Sequence, residues 1–579
     1  MILRHQFNKS DDAYKAFDRS QDYPSFKRNG LVDLSVHPLN DCKHLVGIDL
    51  FRLLIENTKW LDVEAMNEIK GLIVTSTNCD FYIKNLLHRL DQVSGKIELS
   101  VMRYDYRRLK NLATLISGLT RQLIDAKNGA HICPDVLLKD LNQLGNEARF
   151  FSCTLPIINL PSGKKTVQLA KLKCSKWWFR KLNKKINQQR ELLKIAIGVV
   201  CYQNQPYASN EIVNAYQRKV EAEKEYLSTI SFKCNRTGNN ICLADLKSSD
   251  QRRYSEFLVS SKGIEKRAKS LGLVSSLLTL TLPSQYHPNP ANGDSLSWQG
   301  YTPEEGYIEL TSLTNRFNKM IHKACLYENN GYYSIRTVES HHDATCHFHI
   351  LIFYRPEFKG IIQNAISHQF SDDCFNEKSK AYKWVDIDEN KSSPVYYLCK
   401  HFTYSNDDEK NKDNIRISAN KYIWNIKSFE HTGLPGGTKT LWKKLRKNKT
   451  DALLNDIEKK LYSLAINNDF HGFLTILEHS DCVITISYKT TVSKYGEDVV
   501  TVSGVSVTEN KTQQPKKGYF FNMKNQVLDC YLIARTKTVK VVTNISKVTE
   551  NVITKIQDTK SNVIAAKIKG FFTSIIKRQ

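Results

Sequence analysis

Two short runs of the chain constrain its fold more than any other feature. Tyr332 to Glu339 (YYSIRTVE) and His347 to Tyr354 (HFHILIFY) are rich in aromatic and β-branched residues and flank a polar loop, SHHDATC. Such runs read as strands, and a short polar connection makes two neighbouring strands antiparallel. Leu277 to Leu282 (LLTLTL) alternates in the same way and is stopped by Pro283, while Tyr307 to Leu326 has helical spacing. Strand, helix, strand, strand predicts an α+β domain whose central antiparallel sheet is flanked by helices.

The second run carries the sharpest chemical signal. On a strand, alternate side chains share a face, so His347 and His349 point one way and Phe348 the other. Glu339 ends the preceding strand, and a hairpin would set it opposite the histidines. Two imidazoles and a carboxylate suit Mg²⁺ or Mn²⁺ used as a Lewis acid, with positions left for phosphate oxygens. A one-residue slip in register would turn Glu339 to the other face. In the loop, His341 and His342 are expected to lie in a solvated turn, and Asp343 is left open between turn and site.

A further constellation, Tyr396-Tyr397-Leu398-Cys399-Lys400-His401, follows Ser-Ser-Pro, a helix-start signal. Tyr397 and Lys400, three apart, share a helix face. A tyrosine hydroxyl can attack phosphorus and remain as an ester, and a nearby ammonium can stabilise or position the phosphate. With 27 tyrosines in the chain, this stretch alone would suit a packing role equally well.

Charge indicates the partner. Lysine and arginine total 84 against 59 acids, a formal +25 over 579 residues, which favours a polyanion. The excess is concentrated in 171–196 (KLKCSKWWFRKLNKKINQQRELLKIA), with nine basic residues, one acid and three embedded aromatics. Lys176, Trp177, Arg180 and Lys184 are candidate DNA contacts there, as are Lys443, Lys444 and Arg446 in the basic stretch 438–450. The tryptophans could equally be core anchors. Fourteen cysteines without a CxxC pair predict free thiols. No signal peptide and no membrane span are expected. The stretch 562–577 (NVIAAKIKGFFTSIIK) is expected to be a terminal helix docked on the core, the alternative being a basic amphipathic helix on a membrane or partner. Ser405 to Asp413 is expected to be an exposed loop, and 483–548 to hold exposed or edge strands.

These blocks occur in the order of the HUH endonucleases. LLTLTLPSQYHP (277–288), RTVESHHDATCHFHILIF (336–353) and VYYLCKHFTYS (395–405) resemble most closely the phage replication gene A proteins, which start rolling-circle replication. That family shows a strand ending TLT-x-P, an E-x-HHDGT-x-HWH-type block, a Y-x-x-K-Y block and a W-x-I-x-x-F…G-x-P…W-x-x-L-R segment. Here the last is Trp424-Asn425-Ile426-Lys427-Ser428-Phe429, Gly433-Leu434-Pro435 and Trp442-Lys443-Lys444-Leu445-Arg446. The upstream WWFRKL and QPYAS stretches are similar too. The resemblance covers about 170–450 and implies an HUH nuclease domain with the tyrosine on a nearby helix. It also implies metal binding by His347 and His349, attack by Tyr397, a 5′-phosphotyrosine, and a 3′-hydroxyl for a host DNA polymerase to extend. Reversal rejoins the strand.

The chain departs from the family at one position. Where the family often has a second tyrosine four residues on, His401 stands, and Tyr404 is the candidate second nucleophile, roughly 10 Å along the helix. Gly433 to Thr440 (GLPGGTKT) imitates a P-loop, but Thr438 stands where glycine is needed and no clear strand precedes it. It is expected to be a turn before a basic helix, so a host helicase would be borrowed. The expected organisation is a mostly helical 1–165, a basic helical DNA-binding 166–270, the nuclease domain 271–450 and a C-terminal accessory segment 451–579. The DNA partner would be a single-stranded or supercoiled origin in the cytoplasm of a bacterial host. Other readings are a plasmid initiator, relaxase or transposase of the same superfamily, or a DNA-binding protein that has lost nicking.

Overall fold

The computed structural model describes residues 27–28, 31–32 and 37–509, except 60, 98–104, 127–163, 234–239, 247–249, 292, 325, 327–329, 370–380, 389–391, 400–407, 448–453 and 480–481. The expected terminal helix at 562–577 and the strands expected beyond 509 lie outside the described residues, as do Lys400, His401 and Tyr404.

Helices lead. They are α1 (Ile48–Thr58), α2 (Val63–Thr75), α3 (Cys79–Ser94), α4 (Tyr106–Ala126), α5 (Lys165–Leu172), α6 (Ser175–Ala196), α7 (Asn210–Ser228) and α8 (Asp250–Ser270). Then come β1 (Val274–Leu280), α9 (Pro303–Lys323), β2 (Tyr332–Ser340), β3 (Cys346–Tyr354), α10 (Lys359–Gln369), β4 (Tyr382–Asp386), α11 (Pro394–Cys399), α12 (Asp408–Ile423), β5 (Phe429–Thr432) and α13 (Thr438–Lys447). The described part ends with α14 (Asp456–Ile466), α15 (Phe470–His479) and a long hairpin, β6 (Cys482–Val492) with β7 (Asp498–Glu509). The chain is α+β, as the patterning predicts.

Five strands make one antiparallel sheet in the order β4-β1-β3-β2-β5. The expected hairpin is its centre, β2 against β3. Pleating divides the side chains between two faces. Leu278, Leu280, Tyr332, Val338, Phe348, Ile350 and Ile352 lie on the first and join Leu310, Leu313 and Phe317 of α9 and the N-terminal helices in one core. Leu277, Tyr333, Ile335, Leu351 and Phe353 lie on the second and pack with α8, α11, α13 and α15. Beneath that second face Arg267 of α8 donates to Glu478 of α15 at 2.7 Å, and the Tyr333 hydroxyl donates to the other carboxylate oxygen, also at 2.7 Å. Both members of this ion pair are buried; removing one partner would cost about 3–5 kcal/mol, because the other charge would be stranded.

Local chemistry explains where the helices start. At α9, Pro303 is the first helical residue. The Glu305 N–H donates to Thr302 Oγ1 at 3.2 Å, and the Thr302 N–H donates back to Glu305 at 2.7 Å. This reciprocal cap begins the helix four residues before its apolar periodicity shows. The expected exposed loop Ser405–Asp413 is corrected in its second half, since α12 begins at Asp408. The P-loop imitation is corrected in one respect as well: β5 does precede it. Its glycines serve close packing. Gly433 (φ +89°) lies against the Tyr332 backbone, and Gly437 (φ +86°) against Ile484 of β6, so side chains there would collide.

Candidate active site

The β2–β3 register sets Glu339 directly opposite His347 and Thr337 opposite His349, while β1 sets Thr279 beside His349. All five side chains share the second face by alternation, at the end of the strands nearest the hairpin loop. Glu339 Oε2 lies 3.2 Å from His347 Nε2 and 2.8 Å from His349 Nε2, and the two Nε2 atoms are 2.9 Å apart. Among the described residues, these three form the one cluster of His, Cys, Asp and Glu with donor atoms close enough to hold an ion. The donor set fits a divalent ion. Thr279 Oγ1 is hydrogen-bonded to His349 Nδ1 at 3.0 Å, which leaves Nε2 facing the cluster. Burial holds the His347 pKa below its ordinary value despite Glu339, so its neutral, ligating form is favoured.

The connecting loop corrects an expectation. It is folded inward rather than solvated, with Asp343 buried. His287 Nδ1 donates to Asp343 Oδ2 at 2.9 Å, and its Nε2 donates to the Leu282 carbonyl at 3.2 Å. Burial opposes a charge on His287, but Asp343 outweighs it and raises its pKa; His287 in turn holds Asp343 low. With acceptors at both nitrogens, the ring is set up as a cation. Thr345 Oγ1 donates to Asp343 Oδ1 at 2.6 Å, and Asn420 of α12 donates to the Ala344 carbonyl at 3.0 Å. Ala344 itself has φ +72°, where the family block has glycine. The His341 ring lies against that of His347, centroids 4.3 Å apart and tilted by 48°, and burial lowers its pKa to about 3.

The tyrosine helix packs on the same sheet face. Pro394 opens α11, and Val395, Leu398 and Cys399 are buried in the second-face core. Ser393 Oγ accepts from the Tyr396 N–H at 3.2 Å and donates to Glu265 of α8 at 2.9 Å, fastening the start of the helix. Tyr397 is on the open side, 48% exposed, and its hydroxyl makes no hydrogen bond among the described residues.

The basic candidates are distributed over two helices. On α6, Lys176 and Arg180 are exposed, and Arg180 lies 3.3 Å from the Tyr495 hydroxyl at the β6–β7 tip. Lys184 is hydrogen-bonded to Asn425. Trp177 is only 6% exposed and meets Trp178 edge to face, so it anchors the helix instead of offering a ring to solvent. On α13, Lys443 is exposed, Lys444 donates to the Val502 carbonyl at 3.1 Å, and Arg446 lies 5.6 Å over the Trp442 ring. The structure thus gathers Glu339, His347 and His349 into one cluster and leaves the basic residues on separate helices.

Sequence reasoning passed over Thr279 and Lys421. Lys421 of α12 is pushed down to about 8 by burial, with Glu339 opposing that shift. The alternation of LTLTL could have marked Thr279. Nothing in the sequence marks Lys421, which comes from 82 residues beyond Glu339.

A sheet face with a possible metal-binding triad, and a tyrosine-bearing helix packed against it, is a candidate catalytic centre. Residues 107–408, just over half of the 579, match the family described as bacteriophage replication gene A protein (GPA), and the chain belongs to that family. It is 26% identical over 378 residues to "Probable replication protein P12" of Pseudoalteromonas phage PM2, covering 60% of this chain and 58% of that protein. It is 25% identical to the "Replication gene A protein" of Escherichia phage 186, over 57% of this chain and 51% of that one. To the "Probable replication endonuclease from prophage-like region 1" of Salmonella typhi it is 25% identical, over 69% and 53%. The match thus spans about half the length of these relatives. No solved structure matches the chain.

Proposed function

We propose that the protein is a site-specific single-strand DNA endonuclease and strand-rejoining enzyme of the HUH type that initiates rolling-circle replication of phage DNA. The observation that carries this reading is the convergence of Glu339, His347 and His349 on the sheet face against which α11 packs with Tyr397 outermost. The names of the relatives, replication protein and replication endonuclease, support it.

Glu339, His347 and His349 would hold Mg²⁺ or Mn²⁺, which when bound supplies Lewis-acid polarisation of the scissile phosphate. Thr279 orients His349. The Tyr397 hydroxyl attacks phosphorus in line; the phenolic proton is lost, a 5′-phosphotyrosine bond forms and the 3′ oxygen leaves and is protonated. Lys400 steadies the phosphate. The same steps reversed rejoin the strand, and Tyr404 is the candidate second nucleophile. Residues 271–450 would be the catalytic domain. Lys176, Arg180, Lys184, Lys443, Lys444 and Arg446 would steer the origin strand, with Trp177 holding its helix in place. The free 3′-hydroxyl calls for a host DNA polymerase, and unwinding for a host helicase, in the cytoplasm of a bacterial host. Among the described residues no helix is long and apolar enough to cross a membrane.

The test is covalent capture. Labelled single-stranded oligonucleotides tiling the cognate phage genome are incubated with the protein and Mn²⁺ or EDTA and resolved on a denaturing gel. A Mn²⁺-dependent adduct is expected, lost in Tyr397→Phe and in His347→Ala. An adduct that survives Tyr397→Phe would remove that residue as nucleophile.

A further inference from the structure

The segment between α6 and α7 contains QPYAS (205–209), whose likeness to the family the metal cluster and the tyrosine helix leave without a role. It folds onto the hairpin loop. The Tyr207 N–H donates to the His342 carbonyl at 3.0 Å, and the Tyr207 hydroxyl is hydrogen-bonded to His342 Nε2 at 3.2 Å. Ring centroids of Tyr207 and His342 are 4.9 Å apart at 32°, and those of Tyr202 and His342 are 4.8 Å apart at 82°. Three rings from two distant segments therefore form one patch.

Two features set this patch apart from ordinary packing. Tyr207 has φ +70°, a left-handed conformation that a bulky side chain adopts only when its surroundings impose it, and such strain gathers at ligand sites. Tyr202 is 61% exposed, so a large aromatic surface is held open to solvent. The patch also borders the metal cluster. His342 follows His341, whose ring lies tilted against that of His347 at 4.3 Å. Burial raises the Tyr207 pKa to about 12, with Asp413 and Glu339 adding to it, which sets Tyr207 within electrostatic reach of Glu339. Arg416 of α12 donates to the Ala208 carbonyl at 2.6 Å, bringing a cation to the same edge.

We propose that Tyr202, His342 and Tyr207 form a stacking platform for an unpaired nucleobase of the strand whose phosphate lies at the Glu339–His347–His349 cluster. The identity of the strand rests on the nuclease reading. Aromatic rings bind single strands through base faces and tolerate any sequence, whereas phosphate contacts depend on salt. The platform would hold the base next to the reacting phosphate out of the helical stack and so fix the direction in which that phosphate is presented.

The test is binding without cleavage. The full chain in EDTA is titrated into a fluorescein-labelled twelve-nucleotide oligothymidylate, and anisotropy is followed over a range of salt concentrations. Tyr202→Ala is expected to weaken binding about tenfold while leaving the slope of affinity against salt unchanged, because a stack and no phosphate contact is removed. Tyr202→Trp should restore affinity. Tyr226→Ala, which removes a comparably exposed tyrosine (65%) from α7, should have no effect. Tyr202→Ala binding within twofold of the unaltered chain would overturn the platform, as would an equal loss in Tyr226→Ala or no binding by the unaltered chain. The two readings separate cleanly. An adduct with undiminished Tyr202→Ala binding sinks the platform alone, and a Tyr202→Ala defect without any adduct sinks the nuclease reading alone.

Discussion

The Glu339–His347–His349 cluster and the tyrosine helix lie on one sheet face but are held there in opposite ways. Glu339, His347 and His349 are fixed by strand pairing, and one of them is braced further by Thr279. Tyr397 sits on a six-residue helix that a proline, three buried side chains and the Ser393–Glu265 hydrogen bond hold in place. A binding site for a small ion needs donor atoms fixed to a fraction of an ångström, and a sheet supplies that. The proposed nucleophile would have to approach and then carry its substrate, and a short exposed helix leaves it room to do so.

Substitutions that separate the two devices test this contrast. The largest effect is expected from Glu339→Ala, which should weaken Mn²⁺ binding, read by calorimetry, by more than the roughly 100-fold that loss of an outer partner can cause. Tyr397→Phe should leave the same titration unchanged. Thr279→Val should lower Mn²⁺ affinity about tenfold by releasing the His349 ring; an unchanged affinity would show that pairing alone orients the histidine. Ser393→Ala removes a cap and should cost about 1 kcal/mol in denaturant unfolding. It should slow adduct formation with no change in Mn²⁺ affinity, and a fall in both would mean that the devices are not independent. The smallest effect belongs to Ala344→Gly. Relief of the left-handed strain, less the entropy a glycine adds to the unfolded chain, should stabilise the fold by about 0.5 kcal/mol, seen as a higher melting temperature.

The same contrast decides what the sequence discloses. A period of two in HFHILIFY and YYSIRTVE is enough to predict the strands, the shared face and the carboxylate opposite the imidazoles, because pleating is a local property. The five-strand order is less open to reading, since β4 and β5 join through pairings that no short pattern announces. The polar loop SHHDATC looks solvated by composition, yet His287, more than fifty residues upstream, supplies the charge that buries Asp343. Lys421 and Tyr207 reach the site from helices and turns remote in sequence, and tertiary packing alone brings them there. Trp177 illustrates the reverse hazard, because an aromatic among lysines can be read as a stacking surface when it is an anchor.

The pairing of Glu339 with His347 also determines which heritable changes the site can absorb. Backbone hydrogen bonds measure the ligand spacing, as the teeth of a rack measure travel. A substitution at a neighbouring strand position leaves that measure intact, whatever it does to packing. One residue inserted within either strand inverts every side chain beyond it and scatters the cluster. Point mutations beside the three ligands can therefore change packing without changing their spacing, while insertions cannot, and lineages built on it should differ in the length of their connections long before they differ in the length of these two strands.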